Sequence, residues 1–405
     1  MDLLSRFDFF DPEVMRDPYP FFAQMRERAP LHYDTKLQAY LLSRHEDVSF
    51  ALKNHALFSS TAIRMGGKLE EERMSVKEFQ AASLFTTDPP VHTRMRGLIS
   101  RSFTPKQINA MAPRVRELSR QLVTEMTARD EFDFMDALAA PLPVTIISEM
   151  LGIEPARRHD FKRWSDTLID SGNESLQTGK TSERVEQCAQ EMLAYIKVVA
   201  EERRRDPRGD LISLLVQDSD IAAALTPEEV NFFVTLLLVA GNETTTKLLG
   251  NALNALLRHP APYEALRRDP SVAACAAVCE ETMRYDSPII GLFRRTTQEV
   301  ELSGGKLPAN TSVMTLVASA NHDPRKFPEP ERFDPTRDTT GLMSFGHGIH
   351  FCLGAPLTRL EAPVALRELM AQAPHLRFAP RQSLALDYGS SFFVRGPKTL
   401  WLQRH

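Results

Sequence analysis

The sequence predicts a mainly α-helical chain with small β-sheets, an α+β class, on three observations. One helical pattern runs without a break from Thr226 to Arg258. Most other apolar segments have helical period and are joined by proline-containing turns. Strand-like runs are short and lie near the two ends. The 405 residues would suffice for two or three ordinary domains. No Gly/Ser-rich linker, internal repeat or abrupt change of charge marks a boundary, so a single unit over 1–405 is expected.

Taken in order, Leu31-His32-Tyr33 and Ala39-Tyr40-Leu41-Leu42-Ser43 flank polar residues and read as a hairpin. Arg64 to Glu72 and Ser171 to Lys180 are polar or charged and contain glycine, so they read as mobile connections. In the long helix Thr226 can cap, Pro227 suits the first turn and Glu229 takes the reciprocal capping position. Some 30 residues at about 1.5 Å each make a rod of roughly 45 Å. Its middle, Phe232 to Gly241, is apolar on all sides and should be buried. Val300-Glu301-Leu302, the turn Ser303-Gly304-Gly305 and then Ser312 to Leu316 suggest a second hairpin. A helix starts at Ala355, where Pro356 is tolerated in the first turn and Pro363 should bend the helix or cost it a hydrogen bond.

Composition narrows the function. With 42% hydrophobic and 25% charged residues, the chain has a globular balance and can bury a large core without disulfides. Residues Met1 to Asp8 are polar from the second position, and the most apolar run, Val230 to Gly241, is too short to span a bilayer. Neither a signal peptide nor a membrane anchor is expected, and the location should be cytoplasmic. Four cysteines, Cys188, Cys275, Cys279 and Cys352, argue against a disulfide framework. Cys275 and Cys279 are four apart on a helix, but no further ligand completes a metal set, so they read as packing residues. A net charge of −4 without a long basic run gives no reason to propose nucleic-acid binding. Nothing marks an oligomer, and a monomer is expected.

Two motifs carry chemistry. In Phe345-Gly346-His347-Gly348-Ile349-His350-Phe351-Cys352-Leu353-Gly354 a lone cysteine sits on a glycine-punctuated loop that runs into a helix. Gly348 and Gly354 let the backbone turn tightly and lie against a flat ligand. Free N–H groups at the helix start favour a thiolate, which can meet a metal. In Ala240-Gly241-Asn242-Glu243-Thr244-Thr245, a glycine, an acid and two hydroxyls follow the apolar centre of the long helix. Burying such groups is costly unless they have partners or a task. Gly241 leaves room against a flat cofactor. The Thr244 hydroxyl can bond back to the Ala240 carbonyl and loosen the helix into a widened turn.

The ten-residue loop resembles the haem-binding loop of the cytochrome P450 family, with Phe345, Gly346, Gly348, Cys352 and Gly354 matching and Cys352 in the place of the axial thiolate. The hexapeptide is similar to that family's oxygen-activation motif, which puts Glu243 and Thr244 in the proton relay and Ala240 and Gly241 against the haem. Glu281 and Arg284, one helix face apart by three, resemble the family's Glu-x-x-Arg pair. Phe327 to Phe333 resembles the later segment whose arginine, here Arg332, closes a structural network with that pair. Ala320-Asn321-His322-Asp323-Pro324 also fits, with His322 where an arginine is frequent. His92 and Arg96, spaced by four, match the propionate-binding helix, and His350 and Arg294 fit the remaining anchors, with Arg295 the competitor for Arg294. The two glycine-containing connections would be the lid and the substrate-side loop, or ordinary surface connections.

The resemblance extends over essentially the whole chain and implies the cytochrome P450 fold, a long central helix over a haem. It further implies haem b (iron protoporphyrin IX) and a monooxygenase that puts one atom of O2 into an organic substrate by hydroxylation or epoxidation. Electrons would come from NAD(P)H through separate ferredoxin and ferredoxin reductase. Arg101, Lys106 and Arg359 are candidate contacts for an acidic ferredoxin. Microsomal members carry an N-terminal membrane helix, whereas bacterial ones, which this chain resembles, are usually soluble. Leu236, Val239, Ile289, Ile290, Leu292, Phe392 and Phe393 are expected to line an apolar substrate pocket, implying a fatty acid, terpenoid, steroid, macrolide or drug-like compound. Two rivals are a peroxide-driven thiolate-haem peroxygenase, which typically lacks the acid-threonine pair, and a non-catalytic haem-binding sensor, which has little need of a proton relay.

Overall fold

The structure is a computed structural model that describes residues 3–61, 84–157, 159–168, 182–217, 225–389 and 391–404. The two connections expected to be mobile, 64–72 and 171–180, lie outside the described residues. Eight helices position the site: α1 (Val91–Ile99), α2 (Ala112–Thr127), α3 (Pro141–Leu151), α4 (159–168), α5 (Glu183–Arg205), α6 (Pro227–Arg258), α7 (Val272–Tyr285) and α8 (Ala355–Gln372).

Helix α6 is the predicted rod. The Thr226 hydroxyl accepts from the Glu229 N–H at 3.2 Å, and the Glu229 carboxylate accepts from the Thr226 N–H at 2.9 Å. Both orphan donors are thereby satisfied. The helix stops at His259 because Pro260 opens the next one. Val230, Phe233, Val234, Leu237 and Leu238 are buried, and α6 packs against α3, α5, α7 and α8. Leu236, Val239, Ala240, Glu243, Thr244 and Lys247 form a less buried stripe at helical spacing, with Ala240 exposed. The centre of α6 is therefore covered on all sides but one. Cys275 and Cys279 are buried packing residues, as expected, and Cys188 is buried as well. Helix α8 continues through Pro363, which has no N–H to offer the Arg359 carbonyl.

The main sheet contains β1 (Leu31–Asp34), β2 (Ala39–Leu42), β3 (Phe58–Ser59), β5 (Leu292–Thr296) and β8 (Ser312–Thr315), in the order β1-β2-β8-β5-β3. Strand β4 (Glu131–Asp133) belongs to a second sheet with β9 (Leu376–Phe378) and β10 (Trp401–Arg404). The first predicted hairpin is present, with Leu31 opposite Leu42. The second differs. β6 (Val300–Leu302) closes on β7 (Gly305–Leu307), Leu302 facing Gly305. Gly305 takes φ +130°, which favours glycine. β8 instead lies between β2, to which it is parallel, and β5, to which it is antiparallel. Val313, Met314 and Thr315 are all buried, as a central strand covered on both faces requires.

Candidate functional site

Cys352 lies between the glycine-rich loop and the start of α8. Its N–H donates to the Phe345 carbonyl at 2.8 Å, closing the loop. The sulfur faces the N–H groups of Gly354 and Ala355 and the charges of Arg96 and Arg359, all of which favour a thiolate. Burial acts more strongly in the other direction and raises the free thiol above its usual value. A metal supplies what the free thiol lacks, a positive charge at the sulfur. Gly348 has a different reason for being glycine than its approach to a flat ligand. It takes φ +67°, and a Cβ there would stand 2.5 Å from the Leu52 carbonyl oxygen. At Gly354 a Cβ would meet only the Cys352 sulfur, at 3.9 Å.

The four predicted cationic anchors converge. The rings of His92 and His350 are 4.3 Å apart, and Arg96 donates to the Phe351 carbonyl at 2.7 Å. Arg294 is buried and close enough to lower the protonation of both histidines, whereas Arg295 turns away and donates to the Asn310 carbonyl at 3.2 Å. Alternation along β5 thus separates the two candidates. Burial, then Arg294, His92 and Arg96, push His350 down to about 3, and burial pulls Arg294 down to about 10. The acid facing this cluster is Asp88, 4.0 Å from His350 and already accepting from the Ser60 N–H. The Nε2 atoms of His92 and His350 are buried without a partner. Unpaired buried donors and excess positive charge are the surroundings that two porphyrin carboxylates need, so the residues fit a haem. His55 lies near the same cluster and was not foreseen.

Behind the loop, Arg284 binds Glu281 through two hydrogen bonds of 2.9 and 2.8 Å, both side chains being fully buried. The predicted third partner is corrected. Arg332 is 63% exposed and gives the network only its carbonyl, 3.1 Å from Arg284. Arg337 is the arginine that reaches Glu281, at 3.4 Å, while also donating to the Glu329 and Arg332 carbonyls. The chain leaves the Phe327–Phe333 segment through a turn, and the Asp334 N–H on Glu281 holds that turn so that Arg332 points outward. Arg284 also bonds the Asn321 carbonyl, and Asn321 holds Met343 and Ser344 at 2.9 and 2.8 Å, immediately before Phe345. The guanidinium of Arg359 lies 4.7 Å from the Phe345 ring centre and pairs with Glu280 at 2.6 Å. Of the three expected docking cations, Arg101 and Lys106 are exposed and Arg359 has this intramolecular task.

On α6 the Thr244 hydroxyl donates to the Ala240 carbonyl at 2.9 Å, as expected, but the helix remains α-helical through this turn. Gly241 faces Ile147 of α3, where a Cβ would come to 3.4 Å. Its small size therefore serves helix packing, and Ala240 is the residue on the open stripe. Glu243 is largely buried, and its Oε2 lies 3.7 Å from Lys247 Nζ. Burial pushes its carboxyl up from the ordinary value, Lys247 opposes this, and Asp166 of α4 adds to the rise.

The expected substrate wall divides. Leu236, Val239, Ile289 and Leu292 are half-buried, and Leu292 borders Gly346. Ile290 and Phe392 are core residues, packed with Phe9, Phe22 and Met314, and Phe393 lies at the edge of that cluster. The Ile290 N–H donates to the Phe393 carbonyl at 3.0 Å, so strand-like alternation sends Ile290 to the opposite side from Ile289. Among the described residues no helix is long and apolar enough to cross a membrane, and no group of three or more His, Cys, Asp and Glu side chains could hold a metal ion.

Comparison with known proteins agrees with this geometry. A profile described as Cytochrome P450 matches residues 29–373. Erythromycin C-12 hydroxylase of Saccharopolyspora erythraea is 40% identical over 350 residues, 86% of this chain and 85% of the hydroxylase. The solved cytochrome P450 CYP109Q5 of Chondromyces apiculatus superposes with a TM-score of 0.87 at 38% identity, covering 98% of each chain. CYP109E1 of Bacillus megaterium, solved in complex with testosterone, gives 0.87 at 32% identity, covering 98% of this chain and 100% of that one. With Cys352 held by its loop beside Arg96 and Arg294, and with bacterial cytochrome P450 relatives matching most of its length, the chain belongs to the cytochrome P450 family, and the enzyme is a monooxygenase.

Proposed function

We propose that the chain holds haem b and inserts one atom of O2 into an apolar organic substrate by hydroxylation or epoxidation, with electrons from NAD(P)H through a ferredoxin and its reductase. The convergence of His92, Arg96, Arg294 and His350 beside the Cys352 loop carries the reading. Bound haem supplies the iron at which oxygen is reductively activated. Cys352 would hold the haem iron through its thiolate, and the N–H groups of Gly354 and Ala355 would stabilise its negative charge. The guanidiniums of Arg96 and Arg294 and the imidazoles of His92 and His350 would bind and orient the two carboxylates of the porphyrin. Burial favours the protonated form of Glu243, and Thr244, tethered to Ala240, presents its hydroxyl to the open side of α6.

Leu236 and Val239 offer apolar contact on that side, and Ile289 and Leu292, half-buried, add apolar surface near the cysteine loop, which favours a hydrophobic substrate. Macrolides and steroids are the first classes to test, given the erythromycin and testosterone named with two relatives. The deciding experiment is the carbon monoxide difference spectrum of dithionite-reduced protein. A Soret band at the position of thiolate-ligated haem is expected. A band like that of histidine-ligated haem in fresh, folded protein would remove Cys352 as ligand and the monooxygenation chemistry with it.

A further inference from the structure

We infer that Arg395, a buried arginine outside the haem-anchoring cluster, sets the position of the substrate wall at Ile289 and so governs how well a bulky ligand is held over the haem. The inference rests on the placing of Ile289 in that wall under the function proposed above. Residues 286–290, which follow α7, run beside residues 391–395. The Ile290 N–H donates to the Phe393 carbonyl at 3.0 Å, the Arg395 N–H donates to the Pro288 carbonyl at 2.8 Å, and Ile289 faces Val394 in an antiparallel pair. Ile289 thus sits between two backbone bonds, and its place follows that of the 391–395 segment.

The Arg395 side chain fixes that segment. Its Nε donates to Asp286 Oδ1 at 2.7 Å, its Nη2 to the Arg16 carbonyl at 2.9 Å and its Nη1 to the Met15 carbonyl. The two carbonyls end the short helix Pro12–Arg16, where helical partners run out. The guanidinium lies over the Tyr388 ring, 3.9 Å from its centre, and the Tyr19 hydroxyl donates to Asp286 Oδ1 at 3.2 Å. Side-chain exposures of only 4% for Arg395 and 9% for Asp286 leave little room for screening by salt. Asn251 closes the frame from α6: its Nδ2 donates to the Asp286 carbonyl at 2.8 Å and to the Arg395 carbonyl at 3.2 Å. Asn251 stands two turns beyond Thr244, so the wall is anchored to the rod that carries Thr244. A lysine could neutralise Asp286, but only a planar fork reaches a carboxylate and two carbonyls at once. What this frame fixes is the distance from Ile289 to α6, and with it the room beside the open stripe of that helix. Arg395 acts through the backbone around Ile289 and is a positioning residue.

The test titrates the haem-loaded protein with imidazole and with 4-phenylimidazole, following the Soret shift as a ring nitrogen binds the iron. Imidazole reports the iron alone, whereas the phenyl group also needs an ordered apolar wall. Arg395→Lys and Asn251→Ala should each weaken 4-phenylimidazole relative to imidazole by about fivefold, the scale of one contact that must be ordered on binding. Haem content and the carbon monoxide difference spectrum should stay as in wild type. Thr226→Ala, which weakens α6 at its distant start, should leave the ratio of the two affinities unchanged and so controls for a general loss of stability. Should Arg395→Lys fail to fold, Asn251→Ala decides. Ile289→Ala should lower the same ratio. If it does, and the folded variants of Arg395 and Asn251 keep the wild-type ratio, the inference is overturned and the wall stands. If Ile289→Ala leaves the ratio unchanged, the placing of Ile289 in the wall fails and the inference falls with it.

Discussion

Glu361 of α8 is fully buried, and neither of its carboxylate oxygens meets a donor. Burial raises its carboxyl from 4.5 to about 8. The folded state therefore binds a proton that the unfolded state releases between these values, and stability falls as pH rises through the window. A shift of this size corresponds to at most about 5 kcal/mol. Glu361→Gln should flatten the pH dependence of the denaturation midpoint between pH 5 and about 8 and leave the protein more stable at the alkaline end. A wild-type slope retained in the variant would assign the pH dependence to other groups.

Single residues were legible where one local rule decided them. The four-residue spacing of His92 and Arg96 put both on one helix face, and the cysteine loop declared itself by its glycines and the helix after it. Arg337 was hidden, because only the turn around Asp334 determines which arginine swings inward. Lys247, four residues after Glu243, could have been found by the helical neighbour rule.

At the scale of elements, α6 is fixed at its start by side chains that also serve elsewhere. Glu229 accepts from the Thr226 N–H with one oxygen and pairs with Arg94 of α1 through the other. Thr226→Ala should cost about 1 kcal/mol in urea denaturation, the typical value of a lost cap. Glu229→Ala should cost more, since it also releases Arg94. Equal losses would mean that the link between α1 and α6 contributes nothing measurable. Both ends of this helix were readable, because capping residues and proline act locally. The partners of β8 were not, since a four-residue strand with three buried residues fits equally beside β6 or between β2 and β5, and only tertiary packing chooses.

Over the whole molecule, the network from Glu281 and Arg284 through Asn321 to Ser344 holds the cysteine loop against the helical core. Arg337→Met removes a largely buried cation from it and should cost about 3 kcal/mol, with earlier loss of haem on heating. Arg332→Met, at an exposed position, should stay within about 0.5 kcal/mol. The opposite ranking, measured by urea denaturation and the haem absorption, would return Arg332 to the network.

The main sheet sets a timetable for biosynthesis. β2, at residues 39–42, has for its inner neighbour β8, at residues 312–315, and the cysteine follows about 40 residues later. On the ribosome the N-terminal strands must wait, with one edge unpaired, until most of the chain has been made. The thiolate is among the last parts to emerge, so haem capture comes at the end of synthesis. Chains cut short before β8 are left with exposed strand edges and no metal ligand, which makes them ready substrates for chaperones and proteases.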